Sequence, residues 1–276
     1  MSRTYYVTTP IYYVNDSPHI GHAYTTIAAD VLARYWRAAG RDVRFLTGTD
    51  EHGIKIVKAA AEKDTTPKDL ADSVVVHFQD LWRELEISHD DFIRTSQPRH
   101  EKRVRTLVDR LVERDEIYLG KYEGWYDEGQ EEFVSESVAR DNDYVGAISG
   151  KPLVRYAEPS YFFRLSKWVP RLIEHIEATP RFVLPEARRN EVLSKLRMGV
   201  EDLSISRPLE KLGGWGVPMP NNPTHSVYVW IDALSNYMTA LGIPEAGLDD
   251  DGRHAGYWPA DVHLIGKDIL WFHAVY

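Results

Sequence analysis

The sequence has 276 residues, a formal net charge of −9, 43% hydrophobic and 27% charged residues, and no cysteine. Such a chain can bury a sizeable core in one or two domains, and the lack of cysteine excludes disulfides, thiolate metal sites and cysteine nucleophiles. We expect a cytoplasmic location, because the sequence shows no membrane-spanning apolar run and no signal segment. The acidic balance predicts no general attraction to nucleic acid, so any RNA contact would use a local basic face or another part of the protein.

The first predicted element is a buried strand over residues 3–9, where β-branched and aromatic side chains dominate. The turn that follows offers Asp16 or Ser17 as acceptors for the first amides of a helix. That helix is predicted to begin near His19 and to end at Gly40. The apolar residues at helical spacing within it are Ile20, Ala23, Ile27, Val31, Leu32 and Tyr35.

His19, Gly21 and His22 lie where this helix begins, and their arrangement indicates an anion site. Unpaired backbone amides and the positive end of the helix dipole favour phosphate there. His19 and His22 can donate hydrogen bonds to phosphate oxygens, and Gly21 leaves space for a flat purine against the backbone. The alternative is that the histidines merely cap the helix and the glycine permits close packing.

A second polar group follows the next predicted strand, at residues 43–46. Asp50 and His52 fall at the carboxyl end of this strand, where ligands bind in open parallel sheets, and a helix is predicted to begin near Ile54. Asp50 is therefore a candidate acceptor for a substrate ammonium group. The alternative is that Thr49 and Asp50 only cap the following helix.

Amphipathic helices are predicted over residues 67–85 and 98–114, with a short strand between them at 90–94. Their charged side chains are interpreted as solvated faces: Asp69, Asp72, Arg83, Arg103, Arg105 and Arg110. These segments are expected to serve the framework of the fold rather than its chemistry.

An insertion is predicted at roughly residues 120–189, entered by a strand at 118–125 and left by a strand at 161–164. An acidic turn at residues 127–132 follows the entering strand. A structural zinc site normally needs four thiolate or imidazole ligands, and this stretch contains no cysteine and only His175. The insertion is therefore predicted to be free of zinc.

An aromatic segment follows the insertion, with a strand predicted at residues 227–231 and a helix from Ala233. This arrangement would present Trp230, Ala233 and Tyr237 to one cavity. An unbranched thioether suits an aromatic pocket, because sulfur makes favourable contacts with ring edges. Taken alone, such an aromatic stripe is more often part of the core.

The last predicted strand, at residues 263–265, leads into a turn and a helix. The candidate site residues there are Gly266, Lys267, Asp268, Ile269 and His273. Gly266 would let a ribose approach the backbone, Asp268 could bind ribose hydroxyls, and Ile269 and His273 would close the far end of the aromatic pocket. The alternatives are a turn glycine, a helix cap and a core histidine.

Five separated segments together resemble the catalytic domain of class I methionyl-tRNA synthetases. They are residues 6–22, 47–53, 202–207, 227–234 and 263–269. The resemblance implies an α/β fold with a Rossmann-like parallel sheet of the class I synthetase (HUP) type, flanked by helices and interrupted by an α+β connective peptide. The implied divisions are residues 1–118 and 191–276 for the two halves of the catalytic domain, and 119–190 for the insertion.

The resemblance further implies ATP-dependent activation of methionine to methionyl-adenylate, with Mg²⁺ accompanying the nucleotide, and transfer to tRNA(Met). The implied ATP-binding residues are His19, Gly21, His22, Gly266, Lys267 and Asp268. The implied methionine-binding residues are Ile11, Tyr13, Asp50, Trp230, Ala233, Leu234, Tyr237, Ile269 and His273. His19, His22 and Arg207 are implied to be catalytic, Arg207 by balancing the charges of the substrate carboxylate and Asp50. A surface arginine is the alternative for Arg207.

The sequence lacks two features that members of this family carry beyond these five segments. It contains no Lys-Met-Ser-Lys-Ser loop and no helical anticodon-binding domain, and its last apolar helix has no stop signal. We therefore expect a truncated catalytic domain that binds methionine but adenylates poorly. The insertion is too short for the editing domain of isoleucyl, valyl or leucyl relatives. A different nucleotidyltransferase with the same His-x-Gly-His motif, or a non-catalytic binding module, are the alternative functions.

Overall fold

The computed structural model describes residues 4–130, 132–134 and 136–276. Arg3, at the start of the first predicted strand, and Glu131, in the predicted acidic turn, lie outside the described residues. The strands are β1 (Thr4–Thr8), β2 (Tyr12–Tyr13), β3 (Asp42–Asp50), β4 (Asp91–Arg94), β5 (Ile117–Asp127), β6 (Glu132–Val134), β7 (Val154–Phe163), β8 (Leu203–Ser204), β9 (Ser206–Pro208), β10 (Pro218–Met219), β11 (Asn222–Val227) and β12 (Val262–His263).

The helices alternate with these strands along much of the chain. The α-helices are α1 (Ile20–Ala38), α2 (Ile54–Glu62), α3 (Pro67–Glu84), α4 (Pro98–Glu113), α5 (Glu136–Asp141), α6 (Leu165–Ala178), α7 (Glu186–Arg197), α8 (Val229–Thr239) and α9 (Leu270–Val275). Short 3₁₀ turns lie at Leu209–Leu212, Ala255–Tyr257 and Lys267–Ile269. None of the helices in the described part of the chain has the length and apolar content needed to cross a lipid bilayer.

The central sheet is parallel, which confirms the predicted α/β fold. β3 pairs with β1, β2 and β4, and β1 pairs with β12. The last pairing places Thr8 opposite His263, although these residues are far apart in sequence. The carboxyl ends of β1, β3 and β12 therefore meet at one edge, where Asp50 ends β3 and the segments that lead to His19 and Gly266 begin.

Helix α1 has the predicted extent, but it buries a different face from the one that its large apolar residues mark. Its buried residues are Thr26, Ala29, Asp30 and Ala33. The exposed large side chains are Ile20 (88% exposed), Tyr24 (76%), Ile27 (42%), Val31 (60%) and Tyr35 (62%). The two alanines pack with β1 and β3 residues such as Val7 and Phe45, because small side chains let the helix approach the sheet closely.

The predicted helices at 67–85 and 98–114 and the strand at 90–94 correspond to α3, α4 and β4, so their extents are confirmed. The interpretation of Arg103 as a solvated charge is wrong, because its side chain is fully buried. Its guanidinium donates to Asp250 at 2.6 Å and to Asp251 at 3.1 Å. Those carboxylates lie in a distant loop, and helical periodicity contains no information about such partners.

The insertion is built on a long antiparallel pair, β5 and β7, whose register runs from Ile117 opposite Phe163 to Tyr126 opposite Val154. Both strands are longer than predicted. At the far end, Asp127 Oδ1 accepts hydrogen bonds from the backbone of Gly129 (2.8 Å) and Gln130 (3.2 Å), and Oδ2 accepts from Ser149 Oγ (2.7 Å). One carboxylate therefore holds two turns together at this tip.

Strand β8 pairs with β7, although it lies beyond the boundary predicted for the insertion. The division into residues 1–118, 119–190 and 191–276 stays a prediction. Within the described residues, no group of three or more His, Asp or Glu side chains is placed to hold a metal ion. The zinc-free insertion likewise stays a prediction.

The strand predicted at 227–231 is wrong except at Val227. β11 ends at Val227, Tyr228 is the N-cap of α8, and the helix begins at Val229. Val229 and Tyr228 are buried in a cluster with Ile205, so tertiary packing overrides the strand preference of β-branched residues. The strand predicted at 263–265 is likewise shorter, because β12 covers Val262–His263.

Candidate active site

Two histidines, His19 and His22, cap the N-terminus of α1. His19 is the N-cap: its Nδ1 accepts from the backbone N–H of Gly21 at 3.1 Å, and its own backbone N–H donates to His22 Nδ1 at 3.1 Å. Asp16 accepts instead from the backbone of Ser17 at 2.7 Å. The prediction that Asp16 or Ser17 caps the helix is therefore wrong, because the imidazoles themselves form a capping box.

This cap also determines which nitrogen of each ring can donate. Since Nδ1 of His19 and of His22 accepts a backbone hydrogen bond, a neutral ring carries its proton on Nε2 and can donate from there. Burial, together with the neighbouring His19, lowers the pKa of His22 to about 4, so His22 is neutral at pH 7. A side chain at Gly21 would collide with the ring of His19. The helix cap thus leaves two donors for an anion.

At the end of β3, three successive polar residues are buried: Asp50 is 5% exposed, Glu51 is fully buried and His52 is 3% exposed. The N-cap of α2 is Gly53, at φ 104°, and no side chain caps this helix. The alternative that Thr49 and Asp50 serve as helix caps is therefore wrong.

Glu51 is held by the strand that runs beside β3. Its carboxylate accepts from Arg94 Nε at 2.6 Å, from Arg94 Nη2 at 3.0 Å and from Thr49 Oγ1 at 2.7 Å, and also from Ser96 Oγ. The side chain of Thr95 accepts the backbone N–H of Glu51 at 2.9 Å. These bonds fix the backbone immediately after Asp50, so its carboxylate is presented by a rigid segment.

The aromatic residues predicted for the pocket come together between α8 and α9. The ring of Trp230 stacks on Phe272 at 3.8 Å between centroids, and Tyr237 Oη lies 2.7 Å from His273 Nε2. His273 Nδ1 lies 2.9 Å from the carbonyl oxygen of Ile269. Burial lowers the pKa of His273 to about 4, so the neutral ring donates from Nδ1 to Ile269 and accepts from Tyr237 through Nε2.

Tyr237 connects this aromatic group to the end of β3. Its ring lies 4.5 Å from that of His263 in β12, and burial, with a smaller contribution from the charge of Asp50, raises the pKa of its phenol. Tyr13 lies opposite Asp50 in the pairing of β2 with β3, and Ile11 packs against the cluster that contains Tyr237. The structure therefore brings the predicted ammonium acceptor and the predicted thioether pocket to the same region.

A cavity of about 280 Å³ borders α8. Leu234, Tyr237 and His273, from the predicted methionine site, line it together with Leu107 and Met238. The other predicted methionine residues lie outside its lining: Ile11, Tyr13, Asp50, Trp230, Ala233 and Ile269.

The predicted nucleotide residues after β12 are exposed at the same edge of the sheet. Gly266 precedes the 3₁₀ turn Lys267–Ile269, and a side chain at Gly266 would meet Asp268 Oδ1 at 2.8 Å. Because β12 lies beside β1, this turn and the segment that runs from β1 through β2 to His19 start from neighbouring strands.

Arg207 lies in β9 and is 8% exposed, so the alternative of a surface arginine is wrong. Its Nη1 donates to Ser204 Oγ at 3.0 Å and to the carbonyl of Ser206 at 2.6 Å. The guanidinium lies 4.4 Å above the ring of Tyr228, the N-cap of α8. Arg207 is therefore fixed beside the helix that carries the aromatic group.

A family model described as tRNA synthetases class I (M) matches residues 5–142 and 142–276, which is nearly the whole chain. The chain belongs to this family. Among curated relatives of the chain, the methionine–tRNA ligase of Rickettsia conorii is 51% identical over 100% of the chain and 53% of that protein. The methionine–tRNA ligase of Halalkalibacterium halodurans is 49% identical over 99% of the chain and 42% of that protein.

A solved structure agrees with these sequence relatives. The Mycobacterium tuberculosis methionyl-tRNA synthetase in complex with methionyl-adenylate is 44% identical to this chain, with a TM-score of 0.90. The match covers 99% of the present chain and 53% of that chain. The chain thus spans about half the length of the relatives it matches.

Sequence reasoning missed several residues that lie in or beside the candidate site. Phe272 was not singled out, although it lies beside His273 in an aromatic run that could have identified it. Asp232 and His100 were also missed, and both are buried in a hydrogen-bonded network with His52. His100 lies in a helix interpreted as framework, so the sequence offered no signal for it.

Proposed function

We propose that this chain is the catalytic part of a methionine–tRNA ligase. In this proposal it binds L-methionine and ATP and forms methionyl-adenylate, and the whole protein transfers methionine to tRNA(Met). The observation that carries the proposal is that Asp50 ends β3 and the His19–His22 cap follows β1 and β2, while Tyr237 of the aromatic group packs against His263 of β12 in the same sheet, with 4.5 Å between ring centroids. The methionyl-adenylate in the M. tuberculosis structure supports the same ligands.

The amino acid would be held at both ends. Asp50 would accept the ammonium group, and the thioether would contact the rings of Trp230, Tyr237 and His273, which are apolar and neutral at pH 7. Ile11, Tyr13, Ala233, Leu234 and Ile269 are proposed to complete this site. Positioning the carboxylate beside the α-phosphorus is the main catalytic contribution of such a site.

The reaction would form a bond between a methionine carboxylate oxygen and the α-phosphorus of ATP. The bond from the α-phosphorus to the bridging oxygen breaks, and pyrophosphate leaves with that electron pair. His19 and His22 would donate from Nε2 to phosphate oxygens as charge develops on them, which stabilises the transition state. Gly266, Lys267 and Asp268 are proposed to hold the nucleotide, and Arg207 to balance the carboxylate charges.

Mg²⁺ is proposed to arrive on the oxygens of ATP, where it would neutralise phosphate charge. We also propose a cytoplasmic location, as for an enzyme that supplies protein synthesis. The sequence contains no Lys-Met-Ser-Lys-Ser segment to neutralise departing pyrophosphate. Adenylation by these 276 residues alone is therefore proposed to be impaired, while methionine binding is retained.

Calorimetric titration with L-methionine tests the proposed function. We expect saturable binding that the Asp50→Asn variant weakens about tenfold or more, since it removes a charge-assisted hydrogen bond. The control is Asp64→Asn, which changes an exposed carboxylate beyond α2. Equal affinity for methionine and leucine, or no binding, would contradict the methionine site.

ATP–pyrophosphate exchange tests the impaired catalysis separately. We expect exchange close to the background rate in the presence of saturating methionine. Robust exchange by these residues alone would show that adenylation is intact. Nucleotide-dependent stabilisation without any response to methionine would instead favour another nucleotidyltransferase.

A further inference from the structure

A buried carboxylate on α8 is shared between two histidines from two other elements. Asp232 is 1% exposed, and its Oδ2 lies 2.7 Å from His52 Nδ1, just beyond the end of β3. Its Oδ1 lies 2.8 Å from Nε2 of His100, in α4. The other nitrogen of His100 lies 2.7 Å from Oγ1 of Thr239, two turns further along α8. The network therefore ties α8 at two points to α4 and at one point to the β3 end.

The charges around this carboxylate are balanced locally. Burial acts to raise the pKa of Asp232, but the charge of His52 and the hydrogen bonds from both histidines outweigh it and hold the pKa at about 2. Burial acts to lower the pKa of His52, and Asp232, then Glu101 and Glu51, outweigh it and raise it. Glu101 Oε1 lies 3.9 Å from His52 Nε2. An ionised carboxylate with two imidazole donors is a directional link, which a packed apolar pair would not provide.

The Asp232–His52 hydrogen bond joins two segments that carry residues of the proposed methionine site. His52 follows Asp50 by two residues, and Asp232 lies between Trp230 and Ala233 on α8. The two ends of the proposed methionine site, the ammonium acceptor and the aromatic group, therefore belong to segments that the Asp232–His52 bond joins directly. Trp215 reinforces the β3 side, since its ring packs edge-on against His52 at 5.2 Å.

We propose that Asp232 is a positioning residue for the amino-acid site: through His52 and His100 it fixes the rotation and height of α8 against the end of β3. It thereby sets the separation between Asp50 and the rings of Trp230 and Tyr237. The proposal rests on the proposed function, because it takes methionine to bridge these two groups. A displacement of about 1 Å in such a site can cost on the order of 100-fold in rate or affinity.

A pair of variants at His100 separates this role from simple stabilisation. The amide of glutamine reaches the position of Nε2, so His100→Gln keeps a donor for Asp232 and gives up the contact with Thr239. The amide of asparagine reaches the position of Nδ1, so His100→Asn keeps Thr239 and loses Asp232. Asp232→Asn removes the shared charge itself. Asp250→Asn is the matched control, since it weakens the ion pair between Asp250 and the buried Arg103 of the same helix α4, away from this network.

Dissociation constants for L-methionine and for ATP are measured by calorimetry, at temperatures where thermal melts show each variant folded. We expect Asp232→Asn and His100→Asn to weaken methionine binding by about ten- to a hundredfold, with ATP binding within about twofold of the unchanged chain. His100→Gln and Asp250→Asn should keep methionine binding within about threefold, even where the melting temperature falls.

The outcomes are distinguishable. Methionine binding within twofold of the unchanged chain in His100→Asn would overturn the positioning role, and that variant decides the matter if Asp232→Asn does not fold. Equal loss of methionine and ATP binding would show general destabilisation and would also overturn it. Failure of the unchanged chain to bind methionine would instead overturn the proposed function, and this inference with it.

Discussion

Acidification is expected to destabilise this fold through His263, in β12 of the central sheet. Its Nδ1 lies 2.7 Å from Thr8 Oγ1 of the neighbouring strand. Burial, and then the nearby His273, lower the pKa of His263 from 6.5 to about 4. Because the folded state disfavours the protonated ring, the stability from this residue is complete above pH 6.5. It is lost progressively as the pH falls towards 4.

The size of the effect follows from the pKa difference. A shift of about 2.5 units corresponds to about 3 kcal/mol in the free energy of unfolding, of which about 2 kcal/mol would be lost by pH 5. His22 and His273 have lowered pKa values and act in the same direction, whereas the raised pKa of His52 acts in the opposite direction. The free energy of unfolding of the unchanged chain alone would combine all these contributions. The contribution of His263 is therefore measured as the difference between the unchanged chain and a variant that changes His263 only.

The variant His263→Asn provides that difference. Its amide can retain the hydrogen bond to Thr8, and it does not titrate. Urea unfolding of both chains at pH 7 and at pH 5 should show that the unchanged chain loses about 2 kcal/mol more than the variant between these conditions. If the two free energies of unfolding fell in parallel with pH, the reasoning about His263 would be refuted.

Three further substitutions test the framework of the site. Gly48→Ala would place a side chain against the backbone carbonyl of Ile93 in β4, so thermal melts should show a loss of about 3 kcal/mol; an unchanged melting temperature would contradict the close strand packing. Arg103→Met leaves two partly exposed carboxylates without their buried partner, and urea unfolding should show a loss of about 1–3 kcal/mol, against less than about 0.5 kcal/mol for exposed Arg105→Met on the same helix. Asp127→Ala removes the acceptor that joins two turns of the insertion, so limited proteolysis within residues 127–152 should accelerate several-fold while the global unfolding midpoint moves little; uniform cleavage kinetics would argue against a local role.

Much of the framework was predictable because it depends on local patterns. The spacing of apolar residues predicted α3 and α4 nearly to the residue, and the polar strand ends predicted which edge of the sheet carries the candidate site. The buried face of α1 was not predictable, because close approach to the sheet selected Ala29 and Ala33 over larger apolar side chains. The helical conformation of Val229 was not predictable either, because its burial in a cluster with Ile205 and Tyr228 outweighs the strand preference of a β-branched residue.

The candidate site also contains some residues that the sequence predicts and others that only the folded structure reveals. Asp50, His19 and His22 lie in short segments whose residue types alone predict a binding role. In the structure these segments follow strands of the same parallel sheet. The partners of Asp232 lie 180 and 132 residues away, at His52 and His100. Contacts across such separations exist only once the fold has formed, so no local pattern predicts them.

The pairing of β1 with β12 also constrains the order of folding. Thr8 and His263 are 255 residues apart, so the outer side of β1 stays open during synthesis until this late segment emerges from the ribosome. The β5–β7 ribbon closes over a much shorter stretch and can form first. An open strand edge is a template for pairing with other chains, so the nascent chain is most exposed to aggregation in the interval between these two events.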